Sequence, residues 1–440
     1  MIHELAYYDV SPRIVKEGEL STITIRPLGD HAAFTSGTTY IARFLPMENG
    51  REPLRDYDTR EVTPDDDGCL RVSYVFTGEQ EYQLRIYAPE DINVNEDTPA
   101  AQFYTPRAKI FHLYALAPDL YARRPYRGDF HAHTTRSDGS EAPAFVAANY
   151  RKNGFDFFAV TDHHRYTPSI ECIKAYADAP IDLLIINGEE VHAPGNPIHN
   201  VHFGGSHSVN EIFDADPDKY RAEVEAIKAE TPIPPGVNAF EYASCLWIYR
   251  EIKKAGGLPI FCHPHWWCDV YHVPDKMSDA LFASGEFEAF ELLGGQEVYC
   301  NNVQLSFYMD QLAKGVNIPV VGSSDQHGTE NGIWFTWLST LVFSERLATG
   351  QIIDAVRNHY SVAAEKYPGE SEYRVYGPYR MVKLAKFLLV YYFPLHDELC
   401  FEEGRQMKEY ATGSKTAANQ LAMLKGRAGA YLEHIWGGTK

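Results

Sequence analysis

Arg127-Gly-Asp-Phe-His-Ala-His-Thr-Thr-Arg-Ser-Asp-Gly139 is where the grammar of the chain changes. Residues 127–133 read as a buried strand whose end carries His131 and His133, one residue apart and so on the same face. A helical pattern follows at about 142–153, with Gly154 as its C-cap. The same unit then repeats. Strand-like runs at 157–161, 181–187, 258–262, 287–293 and 318–322 alternate with helical patterns starting near Ser169 and spanning about 242–255 and 298–314. Repeated βα units imply a parallel sheet covered by helices, and about seven strands fit a closed or nearly closed barrel. Such barrels carry their chemistry at the C-terminal strand ends.

Polar blocks stand at those ends. They are His131 and His133 with Asp138; Asp162-His163; Glu189-Glu190 with His202; Cys262-His263; and Asp325 with His327. Each has an ordinary explanation by itself: a lone His-x-His pair is a weak signal, and Asp138 before Gly139 suits an Asx-turn. Together they do not. Twelve of the eighteen histidines lie between His131 and His327, and unpaired buried imidazoles and carboxylates cost free energy. Divalent cations gathered in one cup would make the arrangement favourable.

Outward from this region, residues 1 to about 120 alternate apolar and polar, as in 20–26, 39–45, 70–76 and 81–87. Period-two alternation rich in Thr, Val, Ile and Tyr predicts half-buried strands, about seven in all, and a β-sandwich of immunoglobulin or fibronectin type. Residues 367–440 read as mostly helical. The expected organisation is multidomain: an all-β sandwich over 1–122, a barrel over 126–365 and a helical extension over 366–440.

The chain has 440 residues and a formal charge of −20, which disfavours long nucleic acid as a partner. Seven scattered cysteines without CxxC pairs favour a reducing compartment. Met1 to Leu5 shows no signal-peptide pattern. The most apolar stretch, 381–393, is about half a membrane span and contains Lys383 and Lys386. These features point to a soluble, cytoplasmic protein with no membrane segment; the sequence leaves oligomerisation open.

In order and residue type the five blocks resemble the PHP (polymerase and histidinol phosphatase) family, over about residues 127–330. The resemblance implies a distorted (β/α)7 barrel with a trinuclear metal centre. On that analogy His131, His133, Glu190 and Asp325 would hold the first ion, with Glu190 bridging; His202 and His263 would complete the second; and Asp138, His163 and His327 would hold the third. It prefers Glu190 to Glu189 and His202 to His199. Imidazole with carboxylate suits Zn, Mn or Fe. The implied activity is hydrolysis of a phosphomonoester or phosphodiester of a small metabolite or nucleotide by metal-activated water. Arg136 and Arg165 are candidates for clamping the phosphate, and His265 for protonating the leaving group. Two alternatives stay open: a metallohydrolase acting on an amide or lactone, and a binding protein that uses the β-sandwich.

Overall fold

The computed structural model describes residues 3–49, 58–91 and 108–438. The segments 50–57 and 92–107, inside the expected first domain, lie outside the described residues. By internal contacts the chain divides into two units. The first comprises Met1–Arg124, Phe387–His396 and Gly426–Lys440, and the second Pro125–Lys386 and Asp397–Lys425. The expected helical extension over 366–440 is therefore divided: 387–396 and 426–440 belong to the first unit, 366–386 and 397–425 to the second.

In the first unit the alternating runs are strands. They are β1 (Tyr8–Ser11), β2 (Ile14–Lys16), β3 (Leu20–Pro27), β4 (Tyr40–Pro46), β5 (Asp58–Val62), β6 (Leu70–Val75), β7 (Gln80–Tyr87) and β8 (Lys109–Leu116). They form a three-stranded sheet, β1-β3-β6, and a five-stranded sheet, β2-β8-β7-β4-β5. Alternation decides which side is buried: Tyr82, Leu84 and Ile86 of β7 point inward while Glu81, Gln83 and Arg85 are partly exposed. Ile23, Ile25, Leu70 and Val72 of one sheet share a single apolar cluster with Phe44, Leu84 and Phe111 of the other. Each such side chain stabilises the unit by about 1.5–3 kcal/mol.

The second unit mixes α and β. Its strands are β9 (Arg124–Asp129), β10 (Phe157–Ala159), β11 (Leu184–Ile186), β12 (Gly188–Val191), β13 (Asn200–Phe203), β14 (Leu258–Phe261), β15 (Trp267–Cys268), β16 (Val270–Tyr271), β17 (Ala289–Leu293), β18 (Val320–Gly322), β19 (Leu338–Ser344), β20 (Ser361–Glu365) and β21 (Arg374–Tyr376). The expected helices are Pro143–Lys152, Thr167–Ala175, Ala239–Lys254 and Val298–Ala313. Gly128 shows how tightly the first βα unit packs: a Cβ there would come within 2.3 Å of the Phe157 ring.

The sheet departs from the all-parallel expectation. One sheet runs β11-β10-β9-β19-β20-β21 and another β12-β13-β14-β17-β18. Four neighbouring pairs are parallel, each joined through a helix: β9 with β10, β10 with β11, β14 with β17 and β17 with β18. By contrast β12, β13 and β14 are antiparallel, as are β19, β20 and β21. For β12 and β13 the cause is connection length. Residues 192–199 turn through Pro194-Gly195 and return directly, too short a path for the crossover that a parallel pair requires. No helix among the described residues is long and apolar enough to cross a membrane.

Candidate metal centre

Backbone bridges at the strand tips bring the blocks together. Beyond β9, Ala132 forms a parallel bridge with Gln326, and His163 forms one with Glu190. Asp325 N donates to the His131 carbonyl and His133 N to the Gln326 carbonyl, both at 3.0 Å. The first block is thus paired with the last, and the second with the third. Asp129 tightens the first junction by accepting from Tyr150 Oη (2.8 Å), Ser324 N (3.1 Å) and His131 N (3.2 Å). Burial pushes its carboxyl up to about 6. Asp162 anchors the loop carrying Asp138, accepting from Thr134 N (2.8 Å), Thr134 Oγ1 (2.7 Å) and Ser137 Oγ (2.6 Å). Gly139 lets that loop close, since a Cβ there would lie 2.7 Å from the His133 backbone.

Glu190, fully buried, is the hub. Its Oε2 lies 3.4 Å from His131 Nε2, 3.5 Å from His133 Nε2 and 2.5 Å from His163 Nδ1. Its Oε1 lies 2.8 Å from His199 Nδ1 and 3.4 Å from His263 Nε2. Asp325 Oδ1 lies 2.9 Å from His133 Nε2 and 3.3 Å from His131 Nε2. Asp138 Oδ2 lies 3.3 Å from His327 Nε2 and 3.5 Å from His163 Nε2. Several groups have donor atoms close enough to share an ion, among them His131, His133 and Glu190; His199, His263 and His272; His131, Cys262 and His263; and His133, Asp138, His163 and His327.

The donor set fits divalent cations. Among the described residues both Glu190 oxygens, His131 Nε2 and His199 Nδ1 are buried without a hydrogen-bond partner, although their neighbours are close. Lone pairs converging without aligned hydrogens are costly unless a cation sits among them. Backbone strain points the same way: His263 and Asp325 have φ of 27° and 47°. Such conformations cost on the order of 1–3 kcal/mol in a non-glycine residue and gather at functional sites.

Charge and burial compete at each group. Burial lowers the pKa of His131, but Asp325, Glu190 and Glu291 outweigh it and carry the pKa well above 6.5. Burial likewise lowers His163, and Glu190 with Asp138 raises it to about 8. Burial raises the Glu190 pKa, yet His199, His131 and His163 hold the group well below the usual carboxylate range. For His199 and His192 burial wins, and both are lowered. Cys262 is held as a thiol, pushed far up by burial and then by Glu190 and Glu291.

Most of the expected ligands meet here: His131, His133, Asp138, His163, Glu190, His263, Asp325 and His327. His202 does not. In the antiparallel register Glu189 faces His202 and Glu190 faces Val201, so alternation turns His202 to the other side of the strand. There it is fully buried, with Nδ1 3.1 Å from Glu189 Oε1. Its place beside Glu190 is taken by His199. His265 packs against Tyr271 and Phe307, with Nε2 3.6 Å from Asp275 Oδ1. Arg136 forms a two-pronged pair with Glu171, at 2.8 and 2.6 Å. Arg165 is exposed, and its N donates to the Asp162 carbonyl (3.2 Å).

Sequence reasoning gave no role to Glu291 and treated His192 and His272 as extra histidines. Glu291 Oε2 accepts from His131 Nδ1 at 3.0 Å. The available signal was an acid inside the otherwise apolar strand Ala289–Leu293. His192 Nε2 lies 2.8 Å from His163 Nδ1, and His272 Nε2 accepts from His199 N at 3.3 Å.

No family model matches the chain, and no curated protein matches it. Among solved structures, 36 chains match. One is a two-domain protein from Bacteroides vulgatus described as containing a PHP-like metal-dependent phosphoesterase. It is 18% identical, with 56% of this chain and 67% of that one covered and a TM-score of 0.40. Another, from Bifidobacterium adolescentis and described as a metal-dependent phosphoesterase, is 19% identical over 52% of this chain and 94% of that one, with a TM-score of 0.34. An amidohydrolase from Chromobacterium violaceum, with bound sulfate and no metal, is 17% identical over 46% and 87%, with a TM-score of 0.32.

Proposed function

We propose that this chain is a metal-dependent phosphoesterase of PHP type that hydrolyses a phosphomonoester or phosphodiester of a small metabolite or nucleotide. One observation carries the reading. A fully buried carboxylate, Glu190, stands among His131, His133, His163, His199 and His263 with neither oxygen hydrogen-bonded. Three divalent ions, Zn, Mn or Fe, suit this donor set. The first would be held by His131, His133, Glu190 and Asp325, the second by Glu190, His199 and His263, and the third by Asp138, His163 and His327. Bound divalent ions would supply the positive charge that polarises a phosphoryl oxygen and acidifies water.

The chain's own residues do the rest. Glu291 fixes the orientation of His131 through Nδ1. Asp162 holds the Asp138 loop in place, and Asp129 ties the first block to Ser324. Arg165, exposed two residues beyond His163, is the cation we assign to the phosphate; Arg136 would first have to release Glu171. The first unit is read as an immunoglobulin- or fibronectin-like sandwich accessory to the site.

The test is hydrolysis of p-nitrophenyl phosphate and bis-p-nitrophenyl phosphate by protein loaded with Mn²⁺ or Zn²⁺, with metal content measured on the same sample. Metal-stimulated turnover is expected. Protein that carries three ions yet turns over no phosphoester would defeat the reading.

A further inference from the structure

The segment that leaves the cup after His263 carries a rim of exposed aromatic rings. It folds back on itself: Trp266 N donates to the His263 carbonyl (3.0 Å), His272 N to the Trp266 carbonyl (2.8 Å) and Val273 N to the Pro264 carbonyl (2.9 Å). These bonds hold the backbone at Trp266, whose indole has its ring centre 6.0 Å from that of His263, 6.1 Å from His199 and 5.5 Å from His272. Although it touches three imidazoles, Trp266 remains 37% exposed. Trp267, next in sequence, and Tyr299 are each 59% exposed, with ring centres 6.0 Å apart. The Tyr271 and Tyr299 hydroxyls approach to 3.4 Å.

Single exposed apolar residues are ordinary, but here Trp266 stands against the histidines of the cup, and Trp267 and Tyr271 of the hairpin that follows it gather with Tyr299, a concentration that marks a recognition surface. Its chemistry limits what it can recognise. Trp266, Trp267, Tyr271 and Tyr299 carry no charge, so they add nothing to the binding of a second phosphate or another anion. They offer π faces, which favour a flat ring over a flexible alkyl chain. Trp266 abuts His199 and His263, so a ring stacked on it stands beside the ions that would hold the phosphate.

Resting on the phosphoesterase reading above, we propose that Trp266, supported by Trp267 on the hairpin that follows it and by Tyr299 against Trp267, is the specificity-determining platform, and that the substrate carries a planar aromatic ring tethered to its phosphorus. An aryl ester and a nucleoside ester share this chemistry and differ in the distance from ring to phosphorus.

The experiment is calorimetric binding of non-hydrolysable phosphonates to the metal-loaded, full-length protein. Methylphosphonate reports the metal cup alone. Phenylphosphonate adds a ring at the shortest distance, 2-phenylethylphosphonate sets it two carbons further out, in the direction of a nucleoside's longer spacing, and cyclohexylphosphonate adds a non-planar ring of similar size. One of the two phenyl probes is expected to bind roughly tenfold more tightly than methylphosphonate and than cyclohexylphosphonate. Trp266→Ala should erase that gap and Trp266→Phe should keep most of it, with metal content unchanged in both. Should Trp266→Ala disturb metal content, Trp267→Ala and Tyr299→Ala are expected to narrow the gap instead. Equal binding of all four probes, or a gap that survives Trp266→Ala, would overturn the platform while leaving the phosphoesterase reading intact. Failure of methylphosphonate and every other probe to bind metal-loaded protein would overturn both.

Discussion

Replacing His199 and His202 separately by alanine separates two geometries that the sequence alone does not distinguish. His199 Nδ1 lies 2.8 Å from Glu190 Oε1 at the rim of the cup. His202 is fully buried on the opposite side of the strand, and its Nδ1 lies 3.1 Å from Glu189 Oε1. Glu189 has other donors, Ser208 Oγ at 2.6 Å and Asn210 Nδ2 at 2.8 Å, so its charge stays partly compensated when His202 is removed. The loss is then one hydrogen bond to a charged group plus a ring-sized cavity, together about 3 kcal/mol. At 2–4 °C per kcal/mol this lowers the melting temperature of His202→Ala by about 6–12 °C. His199→Ala should melt within about 3 °C of wild type when metal-free, since its half-buried ring makes no hydrogen bond through Nδ1 that truncation would break. Elemental analysis should show the opposite pattern: one ion fewer in His199→Ala and the full complement in His202→Ala. If His202→Ala loses an ion without melting earlier while His199→Ala keeps all of its metal, the strand-parity argument is wrong.

Other expectations follow from the same geometry. Glu291→Ala frees the His131 ring and should weaken metal affinity by about 10–100-fold in a competitive chelator titration, with Glu291→Gln recovering part of the loss; unchanged affinity would mean that the backbone alone fixes His131. The His163 pKa is raised from 6.5 to about 8, so its stabilisation of metal-free protein is complete below pH 6.5 and is lost as pH rises through about 8. Ion binding must expel that proton, so metal affinity should strengthen over the same interval, and melting curves of the two forms between pH 6 and 9 should move apart. Chelation with EDTA should lower the melting temperature, because an ion at 100 times its Kd stabilises by about 2.7 kcal/mol; re-addition of Zn²⁺ or Mn²⁺ should restore it, and a melt indifferent to chelator would argue against a resident metal.

Much of this arrangement was legible because strong periodicities have simple physical causes. The alternation in 20–26, 70–76 and 81–87 became strands β3, β6 and β7, and the helical patterns near 142–153 and 298–314 became helices with ends shifted by a residue or so. Less legible was strand direction. Gly188-Glu-Glu-Val191 and Asn200-Val-His-Phe203 look alike whether they run parallel or antiparallel. Only the short 192–199 link discriminates, and it decides which histidine faces Glu190. With the hairpin recognised, counting outward by twos from Glu190 reaches His192, and across the register it reaches His199. Glu291 was hidden for another reason: a lone acid within an apolar strand shows no partner until the fold brings His131 to it. Strands β19 and β20 carry no polar block, and the helix Thr349–Arg357 between them gives no sign that they pair antiparallel.

The bridge between Ala132 and Gln326 bears on how the protein is made as well as on how it is built. During synthesis a chain emerges from its N-terminus, so His131 and His133 are exposed to solvent long before Asp325 and His327 exist to face them. Until the last of these clears the ribosome, an ion caught by the early histidines has only part of its cage and can escape. A full set of ions would therefore have to wait until Asp325 and His327 emerge, and would be drawn from whichever metal is in supply when that block docks on His131. A truncation anywhere before residue 325 would leave behind an incomplete chelator.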